Sequence, residues 1–141
     1  MFIYLFLYYN TTMSYKIPNE KLVLYVANKI IKRLGIINSQ TKFLSLVIKE
    51  LNEGTDEYRL DYKRFRRIIL KKKKITVHIH YKETDQNWNV NSKCPVCGSN
   101  MRKIMNKTLD QTEVTIGYKC SVCPYWTGFK KRVPIRYVFL R

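Results

Sequence analysis

Apolar residues recur at intervals of three and four along three stretches between residues 19 and 71, which predicts three amphipathic helices. Each stretch opens on a residue that can cap a helix: Asn19, Ser39 or Asp61. Gly35 and Gly54 should end the first two helices. The positions expected to face the core are Leu22, Tyr25, Val26, Ile30 and Leu34, then Phe43, Leu44, Val47, Ile48 and Leu51, then Tyr62, Phe65, Ile68 and Ile69.

A period of two replaces the helical period after residue 74. Ile75, Val77, Ile79 and Tyr81 alternate with polar residues, which predicts a strand with one buried face. Three short helices followed by a strand is the order of a helix-turn-helix domain with a wing. A plain three-helix domain with one extra strand is the alternative.

The four cysteines all fall in the second half of the chain, as two C-x-x-C turns. The first turn holds Cys94 and Cys97, the second holds Cys120 and Cys123, and 22 residues separate Cys97 from Cys120. Two residues between thiols let a tight turn direct both sulfurs at one ion, and four thiolates complete a tetrahedron around Zn²⁺. The pattern predicts one structural zinc ion, with no position left for a catalytic water. A redox dithiol, an iron–sulfur cluster and paired disulfides are the alternatives.

The segment between the two cysteine turns predicts a hairpin, with strands at 101–108 and 112–119. Strand-like pieces at 125–129 and 135–139 follow the second turn. The predicted fold class is α+β, with a three-helix winged-helix-like domain followed by a three-stranded β zinc ribbon. The predicted divisions are a leader at 1–13, the helical domain at 14–83, a polar linker at 84–92 and the ribbon at 93–141.

The leader begins with an apolar run about half as long as a membrane-spanning helix, and it lacks the features of a signal peptide. We interpret it as a mis-called start, with Met13 directly after it, or as a loose, non-essential extension; a short edge strand is the alternative. The expected setting is the reducing cytoplasm, with no membrane partner.

The charge balance points to a polyanionic partner. The 141 residues include 27 Lys and Arg against 10 Asp and Glu, a formal net charge of +17. Most of this excess must lie on the surface, where it attracts phosphates. A charge that serves only solubility is the competing interpretation.

Two segments concentrate the cations. Nine Lys or Arg lie between Arg59 and Lys74, and those on the third helix form one face. As the last helix of a helix-turn-helix, that face would enter a major groove. The predicted nucleic-acid contacts are Lys63, Arg64, Arg66, Arg67, Lys71, Lys72, Lys73 and Lys74 in the helical domain, and Lys130, Lys131, Arg132 and Arg136 near the C-terminus.

No catalytic arrangement is recognisable, so the sequence predicts a binding protein and not an enzyme. His78 and His80 lie two apart on one strand face, a spacing that also suits a metal or a phosphate. We interpret them as part of an exposed polar face.

The cysteine segment resembles the C-terminal zinc ribbon of a family of small, uncharacterised archaeal proteins with a helix-turn-helix-like N-terminal domain. The likeness extends from about Tyr15 onward and is most specific at 118–120, 123–128 and 134–137. The resemblance implies zinc and nucleic acid. A DNA-binding, transcription- or chromatin-associated factor is the leading hypothesis. An RNA-binding, ribosome-associated protein is the second, and a protein–protein adaptor that uses the ribbon is the third.

Overall fold

The computed structural model describes residues 14–141, so the predicted leader lies outside the described residues. The protein is α+β, with three helices and two three-stranded antiparallel sheets. The helices are α1 (Glu20–Leu34), α2 (Gln40–Leu51) and α3 (Tyr62–Lys72). The strands are β1 (Ile36–Ile37), β2 (Thr76–Asn87), β3 (Met101–Lys107), β4 (Glu113–Cys120), β5 (Trp126–Thr127) and β6 (Lys130–Leu140).

The predicted N-caps of the three helices are confirmed. The side chains of Asn19, Ser39 and Asp61 each accept a hydrogen bond from a backbone N–H in the first turn of the helix that follows. Gly35 ends α1 with φ at 77°, a left-handed conformation that glycine adopts without steric cost. By contrast, α2 ends at Leu51 and Gly54 lies beyond it; Asn52 is the C-cap, and its N–H donates the last helical hydrogen bond to the carbonyl of Ile48.

Three predicted core positions are exposed. Tyr25, Leu34 and Tyr62 keep 67%, 44% and 48% of their surface accessible. The buried face of α1 is broader than the predicted stripe because this helix packs against both α2 and α3. Its buried residues are Val23, Leu24, Val26, Ala27, Ile30 and Ile31.

The first sheet joins the helical part to the last strand of the chain. Its strand order is β1-β6-β2, with β6 antiparallel to both neighbours. Ile37 and Val77 both pair with Phe139, whose ring lies 5.0 Å from that of Phe43 and 6.4 Å from that of Phe65. The segment 135–139, predicted as a ribbon strand, therefore completes the sheet under the helices. The reason is that Phe139 fills the aromatic core of the helical part.

The second sheet lies within residues that we call the cysteine unit, 88–129. Its order is β3-β4-β5, so the third strand is Trp126–Thr127. The hairpin strands β3 and β4 confirm the two predicted at 101–108 and 112–119. Residues 84–87 of the predicted linker are the end of β2. The cysteine unit is thus inserted between β2 and β6, two paired strands of one sheet, instead of following the helical part as a separate C-terminal domain.

Aromatic side chains connect the cysteine unit to the first sheet. Tyr125 is fully buried, and its ring lies 5.7 Å from that of Tyr81 on β2 and 6.2 Å from that of Trp88. The Tyr81 hydroxyl also donates a hydrogen bond to the carbonyl of Pro124 at 3.3 Å. Burial of several large rings holds the unit against β2. Within residues 14–141, no helix combines the length and apolarity needed to cross a membrane.

Candidate metal centre and basic surface

Backbone hydrogen bonds contribute to the shape of each cysteine turn. In the first turn, the Gly98 N–H donates to the carbonyl of Cys94 at 2.9 Å, with Gly98 at a φ of 75°. The Val96 N–H points at the Cys94 sulfur at 3.4 Å. In the second turn, the Val122 N–H points at the Cys120 sulfur at 3.3 Å. Amides directed at sulfur favour the thiolate, which is the form that binds metals.

The two turns bring all four sulfurs to one point. The Cys94–Cys123 Sγ pair is separated by 3.5 Å and the Cys97–Cys120 pair by 3.4 Å, and all four sulfurs lie within 4.8 Å of one another. All four cysteines are buried, and none forms a disulfide. A tetrahedral ion with Zn–S bonds of about 2.3 Å would separate its ligand sulfurs by about 3.8 Å. The donor set and its spacing therefore fit a single ion held by four thiolates.

Hydrogen bonding makes one thiol of this cluster acidic. The bond from Cys123 lowers the pKa of Cys94 to about 5, although burial acts in the opposite direction. The same bond, together with burial, raises the pKa of Cys123. Cys94 therefore loses its proton more readily than Cys123, and the thiolate is the form that binds a metal cation. Among the described residues, these four cysteines form the one group of His, Cys, Asp and Glu side chains arranged to hold a metal ion.

The third helix contacts the first cysteine turn through Arg66. The Arg66 Nε donates to the carbonyl of Val96 at 2.7 Å, and its Nη1 donates to Gln40 on α2 at 3.3 Å. The guanidinium also lies 5.2 Å from the centre of the Tyr137 ring. Lys63 and Arg67, on the same helix face, line a cleft of about 180 Å³ together with this turn.

Two of the nucleic-acid contacts predicted on α3 thus form hydrogen bonds within the protein. Besides Arg66, Arg64 donates from Nη2 to the carbonyl of Pro18 at 3.0 Å, and its Nε is buried without a hydrogen-bond partner. Leu70, on the same side of α3, is only 4% exposed and lines a cleft opposite the second cysteine turn. The cysteine unit therefore covers part of the α3 face that was predicted to enter a major groove.

A stripe of cations remains exposed on α3. Lys63, Arg67 and Lys71 recur every four residues, and we call them the α3 stripe. Lys72, Lys73 and Lys74 continue the exposed charge beyond the helix. Lys73 takes the left-handed conformation, with φ at 51°, that turns the chain from α3 into β2. This exposed stripe agrees with the predicted basic face.

The predicted C-terminal cations lie along β6. Lys130 donates to the carbonyl of Asp85 at 3.0 Å, and Arg136 donates from Nε to the carbonyl of Asn38 at 3.1 Å. Arg132 lies 3.6 Å above the centre of the Trp126 ring and 3.9 Å from a Glu83 carboxylate oxygen. Lys131 is half-buried beside them. Lys130, Lys131 and Arg132 lie where β6 leaves the cysteine unit, whereas Arg136 lies beside the loop that precedes α2.

Side chains of the cysteine unit divide into core and surface in a way that its sequence did not reveal. Tyr118 and Tyr125 are buried, whereas Trp126 and Phe129 are 42% and 59% exposed. His78 and His80 are both exposed on β2, as predicted.

No protein-family model, curated protein or solved structure matches this chain.

Proposed function

We propose that the protein is a zinc-containing nucleic-acid-binding protein, in which the metal has a structural role and no reaction is catalysed. The observation that carries the proposal is the exposed α3 stripe next to the buried four-cysteine cluster. Four protein ligands complete a tetrahedron around zinc and leave no position for a substrate or water. Free, clustered thiols also suit a reducing compartment such as the cytoplasm.

The strand order supports a winged-helix description of the helical part. In that fold a short strand after the first helix pairs with the last strand, and a second strand flanks it on the other side. The order β1-β6-β2 has this arrangement, so β2 and β6 would form the wing. The cysteine unit would then be a zinc ribbon inserted at the tip of that wing.

Two modes of binding follow from the hypothesis. In the first, a DNA-binding transcription- or chromatin-associated factor places α3 against a duplex. In the second, an RNA-binding, ribosome-associated protein uses the same cations on RNA phosphates. Because Arg66 is bonded to Val96 and Leu70 is buried, the α3 stripe is better suited to contact phosphates than to read base edges. This favours binding with weak dependence on sequence.

The test is binding of the purified, metal-loaded protein to labelled duplex DNA, duplex RNA and single strands, measured by fluorescence anisotropy across a salt series. We expect binding at low salt, with an affinity that falls linearly on a logarithmic scale as salt rises. Co-sedimentation with ribosomal subunits would favour the RNA hypothesis. Failure to bind any nucleic acid at low salt would overturn the proposal.

A further inference from the structure

A second basic surface lies on the cysteine unit and reaches the C-terminal end of α3. A cleft of about 490 Å³ opens between the end of α3, the start of β2 and the second cysteine turn. Three cations line it, namely Lys73, Arg102 and Lys119, and the described residues that line it include no Asp or Glu. Leu70 and Val122 are among the apolar residues of its wall. An apolar cleft edged by cations suits a flat, uncharged ring that is attached to phosphates.

The pairing of β3, β4 and β5 places a row of side chains next to this cleft. Arg102 on β3 is directly opposite Lys119 on β4, and Lys119 is directly opposite Trp126 on β5. Directly opposite residues share a sheet face, so the three side chains form one line, which we call the cation row. The charge of Arg102 and Lys119 is therefore continuous with an aromatic ring at the end of the row.

Trp126 is held in position and still accessible. The Arg132 guanidinium lies 3.6 Å above the centre of its ring, and the residue remains 42% exposed. A cation on one face of an indole stabilises the ring by a cation–π interaction. The exposed part of the ring offers a surface on which an unpaired base can stack. Phe129 is 59% exposed two residues after β5 and can provide a second ring.

We propose that the cation row and its cleft bind unpaired nucleotides of a single-stranded nucleic acid. One base stacks on Trp126, and Arg102, Lys119 and Lys73 neutralise the phosphates that follow. A duplex hides its base faces, so it would gain the phosphate contacts but not the stacking. This inference rests on the proposed function and adds a substrate class and a second surface to it.

The experiment compares Trp126→Ala with Trp126→Phe, which keeps a ring. Affinities are measured by anisotropy for a short oligothymidylate, the matching oligouridylate and a duplex of the same length. Trp126→Ala should weaken single-strand binding by about 5- to 150-fold and leave duplex binding unchanged, because one stacked base contributes about 1–3 kcal/mol. Trp126→Phe should keep most of the single-strand affinity. Similar affinity for the two oligonucleotides indicates stacking on any strand, and a preference for one identifies DNA or RNA as the ligand.

Charge variants test the rest of the row. Arg102→Gln and Lys119→Gln should each weaken single-strand binding and reduce its salt slope. Lys49→Gln is the matched control, because Lys49 is exposed on α2 and lies outside the cleft. Circular dichroism and metal content must match the parent protein in every variant. Direct contact is checked by tryptophan fluorescence, since Trp126 is exposed whereas Trp88 is only 8% exposed. Added oligothymidylate should quench this emission, and the quench should disappear in Trp126→Phe.

Three results would overturn the inference. Equal single-strand affinity of Trp126→Ala and Trp126→Phe would remove the stacking contact. Displacement of the oligonucleotide by polyglutamate at the same charge concentration would show that any polyanion, including an acidic peptide, is sufficient. Duplex binding without single-strand binding would contradict this inference and leave the proposed function intact, whereas binding of neither would contradict both.

Discussion

Arg66 on α3 donates a hydrogen bond of 2.7 Å from its Nε to the carbonyl oxygen of Val96, inside the first cysteine turn. This bond links the helical part to the metal centre. Arg66 therefore has a structural role, although it lies in the middle of a basic helix face. The neighbouring Arg67 is exposed and keeps its charge at the surface.

The two neighbours should therefore respond differently to substitution. Arg66→Ala should lower the free energy of unfolding by about 1–2 kcal/mol, because the Val96 carbonyl and Gln40 lose a charged donor. Arg67→Ala should change it by less than about 0.5 kcal/mol, as expected of an exposed residue. Urea denaturation followed by circular dichroism measures both. An equal effect of the two substitutions would contradict the structural role of Arg66.

The exposed cations of the α3 stripe should contribute to nucleic-acid binding, although they contribute little to the free energy of unfolding. Arg67→Gln and Lys71→Gln should each weaken binding to all sequences by a similar factor and reduce the salt slope by about one phosphate contact. A loss confined to particular sequences would instead indicate base reading by α3. Lys49→Gln again controls for the loss of one positive charge elsewhere, and it should leave the slope unchanged.

The metal centre predicts one ion per chain, released when any ligand is removed. Cys120→Ser should abolish tight binding and disorder the two cysteine turns, because three thiolates leave the ion open to water and chelators. Metal content by mass spectrometry of the purified protein and limited proteolysis of the cysteine unit are the measurements. Ser121→Ala, at the adjacent position, should retain the metal. A stoichiometric ion in Cys120→Ser would refute this ligand assignment.

Removal of the ion by a chelator should affect the cysteine unit and leave the helical part folded. Removal of the ion should loosen the packing of Trp88 against Tyr118, whose rings lie 6.3 Å apart, and shift the tryptophan emission to longer wavelength. The helical signal should persist, because the rings of Phe43, Phe65 and Phe139 pack on one another in the core of the helical part. Loss of helix on chelation would show that the ion stabilises the whole chain.

The last strand should matter for the helical core and not only for the cysteine unit. Phe139→Ala should lower the free energy of unfolding by about 3–5 kcal/mol, the range for a buried phenylalanine. Ile135→Ala on the same strand should have little effect, since Ile135 is 64% exposed. Thermal unfolding followed by the helical circular-dichroism signal checks both. An unchanged midpoint in Phe139→Ala would contradict the position of β6 under the helices.

Local features of the sequence determined the helices, the hairpin and the metal ligands. Asn19, Ser39 and Asp61 cap their helices through bonds to residues three positions away, so sequence spacing alone specifies them. Each C-x-x-C turn likewise depends on residues close together in sequence, and four thiolates around one ion adopt a tetrahedral arrangement.

Only the tertiary structure decided the partner of β6, the burial of Leu70 and the bond between Arg66 and Val96. Each depends on residues 30 or more positions apart, and an alternating or basic pattern does not reveal which distant surface it contacts. Phe139 belongs to the helical core because its ring packs against two phenylalanine rings and its backbone pairs with the strands on either side of β6. The sequence therefore identified the cysteines as a candidate metal site, and the fold determined that this site is inserted between β2 and β6 and lies against α3.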